Sequence, residues 1–410
     1  MIDLTTVART DRPVRVLALA DSDSYLKWTC STLDRLGTDL PDVERDALLV
    51  RSPLLPTAEQ ESAARTGLDW LDRVPVVGPG SLRARIARLR PDVVLVGATG
   101  PVAQLAIATI MRMPGRPAVV TGLPGIALPA TAAALRYRAG TDAFLVHSRA
   151  ERYAFGSLAR RVGQPLRTVL TRLPFLPSAG VLDPTSRPVN RVVFAAQALF
   201  PHAYDQRIRV LHALGRLAVE RPDIRVVVKL RARPGERQTH DEPHPYDQLW
   251  QSYHQVAGFR RDVIDFGHGP MSQWLTPGAA LVTVSSTAAL EAVGSGLPTM
   301  ILTDFGLTEE LLNAPFADSG LLGTLAHVSS GRFARVRPDW LRDNWFHPER
   351  SELPGMISWL ADRSRAGTLD DAPRLGDGHA APSRQLSRTW LRSALPATVS
   401  RMVWAARRSI

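Results

Sequence analysis

The 410-residue chain has a single cysteine, Cys30, and only two lysines, Lys27 and Lys229, among its 50 basic residues. One thiol excludes an intramolecular disulfide and any cysteine-based metal cluster. No apolar run approaches the roughly 20 residues a membrane-spanning helix needs, and Met1–Asp11 is polar, without the apolar core of a secretion signal. Gly-x-Gly-x-x-Gly is missing, which speaks against a dinucleotide site. No His/Cys/Asp/Glu group has metal-ligand spacing, so neither a metal nor a cofactor is expected. The scarcity of lysine has a use. In a chain whose default cation is arginine, a lysine that remains points to a place for a compact ammonium; chance is the alternative.

What is present fits a globular enzyme. Apolar residues make up 45% and charged residues 22% of the chain, and the length suffices for two domains with full cores. The formal net charge is +11, but the arginines are spread out and no aromatic-studded basic block occurs. Anionic nucleotide donors or an anionic membrane surface account for that charge as well as nucleic acid would, and no nucleic-acid-binding signature is found. A cytoplasmic protein, peripheral at the inner face of the plasma membrane, fits.

Short apolar runs alternate with helical patterns. Strands are expected at 14–20, 47–50, 74–77, 92–96, 118–121 and 143–146, with helices at 25–36, 81–89 and 102–111. This alternation reads as a parallel, doubly wound sheet. Glycine loops at 97–100 and 121–125 follow two strands, where they would let backbone approach a ligand closely. Ser148 and Glu151 have capping-box spacing, and His147 either faces a cleft or is packed. Pro174–Asn190, rich in proline, reads as a linker. A second alternating series opens at Arg191–Gln197, with a helix at 205–219 and a strand at 225–230.

The most informative stretch is 279–304. Ala280–Val284 reads as a buried strand, Ser285-Ser286-Thr287 as a tight hydroxyl turn, Ala288–Val293 as a helix, and Thr299–Leu302 as the next strand. Hydroxyls beside a helix N-terminus can hold a phosphate. Glu291, one turn on, can accept hydrogen bonds from ribose hydroxyls. An ordinary capped crossover is the structural alternative. The sequence Ser285-Ser286-Thr287-Ala288-Ala289-Leu290-Glu291-Ala292 followed by Gly296-Leu297-Pro298-Thr299 resembles the donor segment of GT-B glycosyltransferases. It is most similar to bacterial capsule and teichoic-acid transferases, including polysialyltransferases and CDP-glycerol glycerophosphotransferases. UDP-GlcNAc 2-epimerases share it. The resemblance implies that the Ser/Thr turn holds the donor phosphates, that Glu291 contacts the ribose, and that no metal is needed.

Other residues join this reading. Lys229-Leu230-Arg231-Ala232 is similar to the Lys-Leu-His-Pro segment of the capsule transferases, with Arg231 in place of the family's histidine; an arginine can still clamp phosphate. His268, exposed between Gly267 and Gly269, is a further candidate for a donor contact. Asp21 and Asp23 follow the first strand, at the sheet edge where ligands bind, and are the candidates for a catalytic base; capping of the next helix is their alternative role. At the C-terminus, residues 388–410 are basic, tryptophan-bearing and free of acids, as in an interfacial helix, or else they pack on the catalytic domains.

The expectation is α/β: two Rossmann-like doubly wound domains facing a cleft, GT-B-like. Residues 1–173 would form the acceptor domain, 174–190 the linker, 191–360 the nucleotide-donor domain, 361–387 a flexible segment and 388–410 a basic amphipathic helix. The expected function is transfer of a sugar, or a sugar-like group, from a nucleotide-activated donor to a cell-surface glycan or lipid-linked acceptor. Donor contacts would come from Lys229, Arg231, His268, Ser285, Ser286, Thr287 and Glu291, and the base from Asp21 or Asp23. The alternatives are a nucleotide-sugar 2-epimerase and a non-catalytic GT-B-like binding protein of a polysaccharide assembly.

Overall fold

The computed structural model describes residues 12–176, 187–231, 242–370 and 383–394. The chain forms two compact units. One runs to Phe175 and resumes at Glu349; the other spans Leu176–Pro348.

The first unit holds seven strands: β1 (Arg15–Ala20), β2 (Glu44–Val50), β3 (Val76–Val77), β4 (Val93–Val96), β5 (Ala118–Gly122), β6 (Ala143–Val146) and β7 (Thr168–Leu170). Their order is β3-β2-β1-β4-β5-β6-β7, and every pairing is parallel. Val93–Val96 and Ala143–Val146 are buried along their whole length. That is the pattern of strands covered on both faces. On one face, helices Asp23–Asp39 and Leu353–Ala366 pack over Ala18, Leu49, Leu95 and Val120. On the other, helices Pro79–Leu89 and Gly100–Met111 cover Leu17, Leu48, Val94 and Val119.

The second unit holds β8 (Arg191–Ala195), β9 (Arg225–Lys229), β10 (Ile264–Gly267), β11 (Ala279–Thr283), β12 (Thr299–Leu302) and β13 (Leu322–Gly323). The order is β10-β9-β8-β11-β12-β13, again all parallel. Two parallel α/β sheets, each doubly wound, are thus present as the alternating pattern implies.

Some boundaries differ from those expected. Leu353, Ile357, Leu360 and Ala361 are buried in the core of the first unit, each large side chain contributing about 1.5–3 kcal/mol by leaving water. The chain therefore returns to the first unit, which the expected 191–360 donor domain does not allow for. Arg365 of the same helix holds Asp92 at 2.8 and 3.0 Å, so helix continues into the span expected to be flexible. Most of the expected linker and residues 371–382 lie outside the described residues. The C-terminal helix starts earlier than 388, at Ser383, and is described to Ala394; residues 395–410 of the expected basic helix also lie outside. Strand β7 and helix Ala58–Arg65 were not expected; β7 has three residues and the helix buries none of its own.

Candidate functional site at the strand C-termini

A doubly wound sheet binds ligands where strand order reverses, beyond the strand C-termini. In the second unit that point lies between β8 and β11, so the loops after Ala195 and Thr283 border it. A side chain spans it. Gln197 Oε1 accepts from the Ser285 amide at 2.9 Å, and Gln197 Nε2 donates to Ser285 Oγ at 3.0 Å. Thr283 Oγ1 donates to the Ala195 carbonyl at 3.2 Å, adding a second link between the strands.

Gln197 is held from beneath by Arg207, which is fully buried. Its guanidinium donates to the carbonyls of Gln197, Ala198 and Pro201 at 3.0, 2.8 and 2.9 Å, to the His244 carbonyl at 2.9 Å and to Glu242 at 2.5 Å. A buried arginine is tolerated because every donor direction finds oxygen and its charge is paired.

The three hydroxyls of the turn therefore differ in use. Ser285, 7% exposed, is taken by Gln197. Ser286 Oγ accepts from the Ala288 amide at 3.2 Å and caps the following helix. Thr287 stands at the N-cap position but makes no side-chain cap bond. Ser286, Thr287 and Glu291 are half-buried. The helix they precede, Ala288–Gly294, has seven residues, so its dipole is weaker than a long helix would supply.

Lys229 ends β9, the neighbour of β8, and is half-buried; Arg231 follows two residues on and is exposed. His268 follows β10 and is half-buried rather than exposed, because the loop folds over Trp274. The indole Nε1 donates to the His268 carbonyl at 3.0 Å, and its ring lies 2.3 Å from where a Cβ on Gly267 would be. The structure thus puts Lys229, His268, Ser285, Ser286 and Thr287 at the C-terminal ends of β9, β10 and β11 of one sheet.

The first unit repeats this arrangement at its own reversal point, between β1 and β4. Asp21, fully buried, accepts from the Thr99 amide at 2.9 Å and from Thr99 Oγ1 at 2.5 Å. Burial pushes its pKa up to about 6, although the Thr99 hydrogen bonds and the Arg138 charge pull the other way. Arg138, 2% exposed, donates to the carbonyls of Ala98 and Gly122 and to the Tyr25 hydroxyl. Asp23 begins the helix Asp23–Asp39 and is exposed. Ser22, at its N-cap, makes no side-chain cap bond.

Gly97 and Gly122 make room for a side chain rather than for a ligand. A Cβ on Gly97 would lie 2.3 Å from Thr29 and 2.9 Å from the Trp28 ring, and one on Gly122 would lie 2.8 Å from the same ring. The glycines admit Trp28, whose Nε1 donates to His147 Nε2 at 2.9 Å. With Nε2 accepting, the proton sits on Nδ1, which faces the Thr171 carbonyl at 3.2 Å. His147 is therefore packed. Ser148 caps the next helix by accepting from the Glu151 amide at 3.0 Å, as its spacing implies.

Gln197, Arg207, Thr99 and Arg138 escaped the sequence reading. Gln197 ends the run Arg191–Gln197, and a polar residue at that position was the available signal. Nothing local distinguishes Arg138 or Arg207 from the other arginines. Among the described residues, no group of three or more His, Cys, Asp or Glu could hold a metal ion, and no helix is long and apolar enough to cross a membrane. An open depression of about 440 Å³ lies at the opposite, N-terminal edge of the second sheet, where Arg225 pairs with Asp265 and Arg260 with Asp262.

The fold has solved counterparts. The chain is similar to the S. aureus MnaA–UDP co-structure, with a TM-score of 0.52 at 11% identity over 85% of this chain and 94% of that one. It is similar to UDP-GlcNAc 2-epimerase from Neisseria meningitidis bound to UDP-GlcNAc, with a TM-score of 0.51 at 11% identity over 87% and 100%. The Methanocaldococcus jannaschii UDP-GlcNAc 2-epimerase gives 0.51 at 11% identity over 86% and 99%. These likenesses show a GT-B-type pair of α/β domains. No curated protein matches the chain by sequence. The sequence model of the family described as "Putative glycosyltransferase (DUF6716)" matches residues 16–360, most of the chain, and the chain belongs to that family.

Proposed function

We infer that the protein transfers a glycosyl group from a nucleotide-activated donor to a glycan or lipid-linked acceptor. The observation that carries this reading is the braced reversal point between β8 and β11. Gln197 and Arg207 fix the loops there at several points, and the Ser286-Thr287 hydroxyls follow directly. A rigid crevice of this kind suits an anionic ligand whose phosphate must be held still while charge builds on it.

In this reading Ser285, Ser286 and Thr287 form the phosphate turn, with Ser285 holding its shape. Lys229 and Arg231 neutralise the leaving phosphates by charge-assisted bonds. Glu291 accepts from the ribose hydroxyls, and His268 borders the base. The acceptor hydroxyl loses its proton to a carboxylate on the β1 loop. Asp23 is the solvent-reachable candidate there, and Asp21 is the buried one, its pKa pushed up to about 6. Two fold relatives were solved with UDP or UDP-GlcNAc, so a uridine donor is the first to test.

A thermal-shift screen with UDP, CDP, CMP and GDP, followed by turnover of the matching sugar nucleotide with candidate acceptors, tests the proposal. Binding to the folded state raises the melting temperature, and the rise grows with the logarithm of ligand concentration above Kd. One nucleotide should stabilise the protein, and its sugar should be consumed only with an acceptor. No stabilisation by any of the four would reject the donor site. Conversion of the donor without acceptor, to its C2 epimer, would replace transfer with epimerisation.

A further inference from the structure

One face of the first unit is unusual in charge. Helices Pro79–Leu89, Gly100–Met111 and Ser383–Ala394 pack on one another, and their sequences contain six arginines and neither an aspartate nor a glutamate. The middle helix carries no charge, and Val102, Ala103, Leu105 and Ile107 are all buried. A helix apolar on all sides needs cover on all sides, and Ser383–Ala394 supplies part of it, with Thr389 turned inward.

The two outer helices present the charge. On Pro79–Leu89 the residues Gly80, Ala84 and Ala87 share one exposed face. Arg83 flanks that stripe on one side and Arg88 on the other, both exposed. Trp390 of the C-terminal helix lies over Gly80, its indole 3.9 Å from where a Cβ on that glycine would sit. Trp390 is nonetheless 45% exposed, and its neighbour Leu391 is 57% exposed. Arg388, on the same helix, is exposed as well.

We propose that this face seats the protein against an anionic phospholipid bilayer, with Arg83, Arg88 and Arg388 on the headgroups and Trp390 and Leu391 at the headgroup–acyl boundary. Charge complementarity selects an anionic partner, since no carboxylate on the three helices opposes it. The exposed indole and leucine select a bilayer over a nucleic acid. A lipid interface takes up such groups among its headgroups, whereas a duplex backbone offers them only phosphates. The surface does not depend on the donor-site reading, and it includes a helix, Pro79–Leu89, far from the C-terminus in sequence.

Co-sedimentation of the full-length protein with phosphatidylcholine vesicles, with and without 30% phosphatidylglycerol, tests it in the absence of nucleotide. Binding should appear only with the anionic lipid and fall in high salt. Each headgroup-bound arginine contributes about fivefold in partitioning, so Arg83→Glu with Arg88→Glu should lower binding by at least about tenfold. Trp390→Ser should lower it several-fold at all salt concentrations. Both substitutions are at exposed positions, and an unchanged melting temperature confirms the fold. Unchanged vesicle binding in the folded Arg83→Glu/Arg88→Glu variant overturns the proposal. So does failure of the unaltered protein to bind anionic vesicles, or tighter binding to duplex DNA than to the vesicles.

Discussion

Gln197 grips Ser285 with both ends of its amide, accepting from the backbone N–H at 2.9 Å and donating to the hydroxyl at 3.0 Å. Asp21 holds Thr99 in the same two-point manner in the other unit, through 2.9 and 2.5 Å contacts. Each pair joins the loop after the unit's first strand to the loop across the reversal point. Two separate sheets thus brace the same position, once with an amide and once with a carboxylate.

Gln197→Leu removes both bonds and strands the Ser285 amide in a buried place. The expected cost is about 1–3 kcal/mol of stability, read from urea denaturation, together with weaker nucleotide binding. Gln197→Glu keeps an acceptor for the amide and should retain most of the stability. If Gln197→Leu unfolds at the same urea concentration as the unaltered protein, the brace does not hold the turn.

For Asp21 the pH dependence is distinctive. Its pKa rises from 3.8 to about 6 on folding, so the folded protein binds the proton more tightly than the unfolded chain. This group's contribution to stability therefore falls as pH rises from about 4 to about 6, by on the order of 3 kcal/mol. Asp21→Asn can keep both Thr99 contacts, as Gln197 does with Ser285. It should remove that slope and leave stability at pH 7 equal or higher. Turnover separates the roles: a base loses about 10²–10⁴-fold, whereas a brace replaced by an amide loses little. The same measurement on Asp23→Asn tests the exposed candidate.

Ser286→Ala combined with Thr287→Ala should weaken nucleotide binding by about 1–3 kcal/mol through lost hydrogen bonds to charged oxygens. The loss of the Ser286 cap should cost about 1 kcal/mol of stability separately. Calorimetric titration with the nucleotide found in the screen distinguishes the two effects. A folded double variant with undiminished affinity would move the phosphates elsewhere.

Asp92 ties the returning helix to the first sheet. Burial alone would raise its pKa, but hydrogen bonds from Arg365 and the Arg15 amide, with the charges of Arg365 and Arg12, hold it below the usual carboxylate range. A depressed pKa stabilises the fold at pH values above the unfolded pKa of about 3.9, and the contribution disappears as pH falls through the folded value. Asp92→Asn should cost about 2–3 kcal/mol at pH 7, less than a fully buried pair because Arg12 is half exposed. In urea melts the gap between variant and parent should narrow as pH drops below about 4. A gap that is constant with pH would deny the ion pairs their role.

By itself the sequence determined the layering. Runs such as Val93–Val96 and Ala143–Val146 are short, wholly apolar and uninterrupted. That is what a strand covered on both faces requires, so parallel sheets were legible from local pattern. Capping by Ser148 was legible for the same reason, since a cap acts within four residues. Local pattern also showed three hydroxyls at 285–287, but not that Gln197 takes Ser285 while Ser286 accepts from the Ala288 amide.

Tertiary structure alone decided what stands across each reversal point. Gln197 meets Ser285 from 88 residues away and Asp21 meets Thr99 from 78, distances at which no periodicity operates. It also decided that the glycines at 97 and 122 admit Trp28 instead of a ligand, that Arg138 and Arg207 are buried while Arg136 and Arg209 are solvated, and that helix Leu353–Ala366 returns to the first sheet. Those outcomes depend on which surfaces meet, and partner choice between distant segments is set by packing and buried hydrogen bonding, which a local sequence window does not contain.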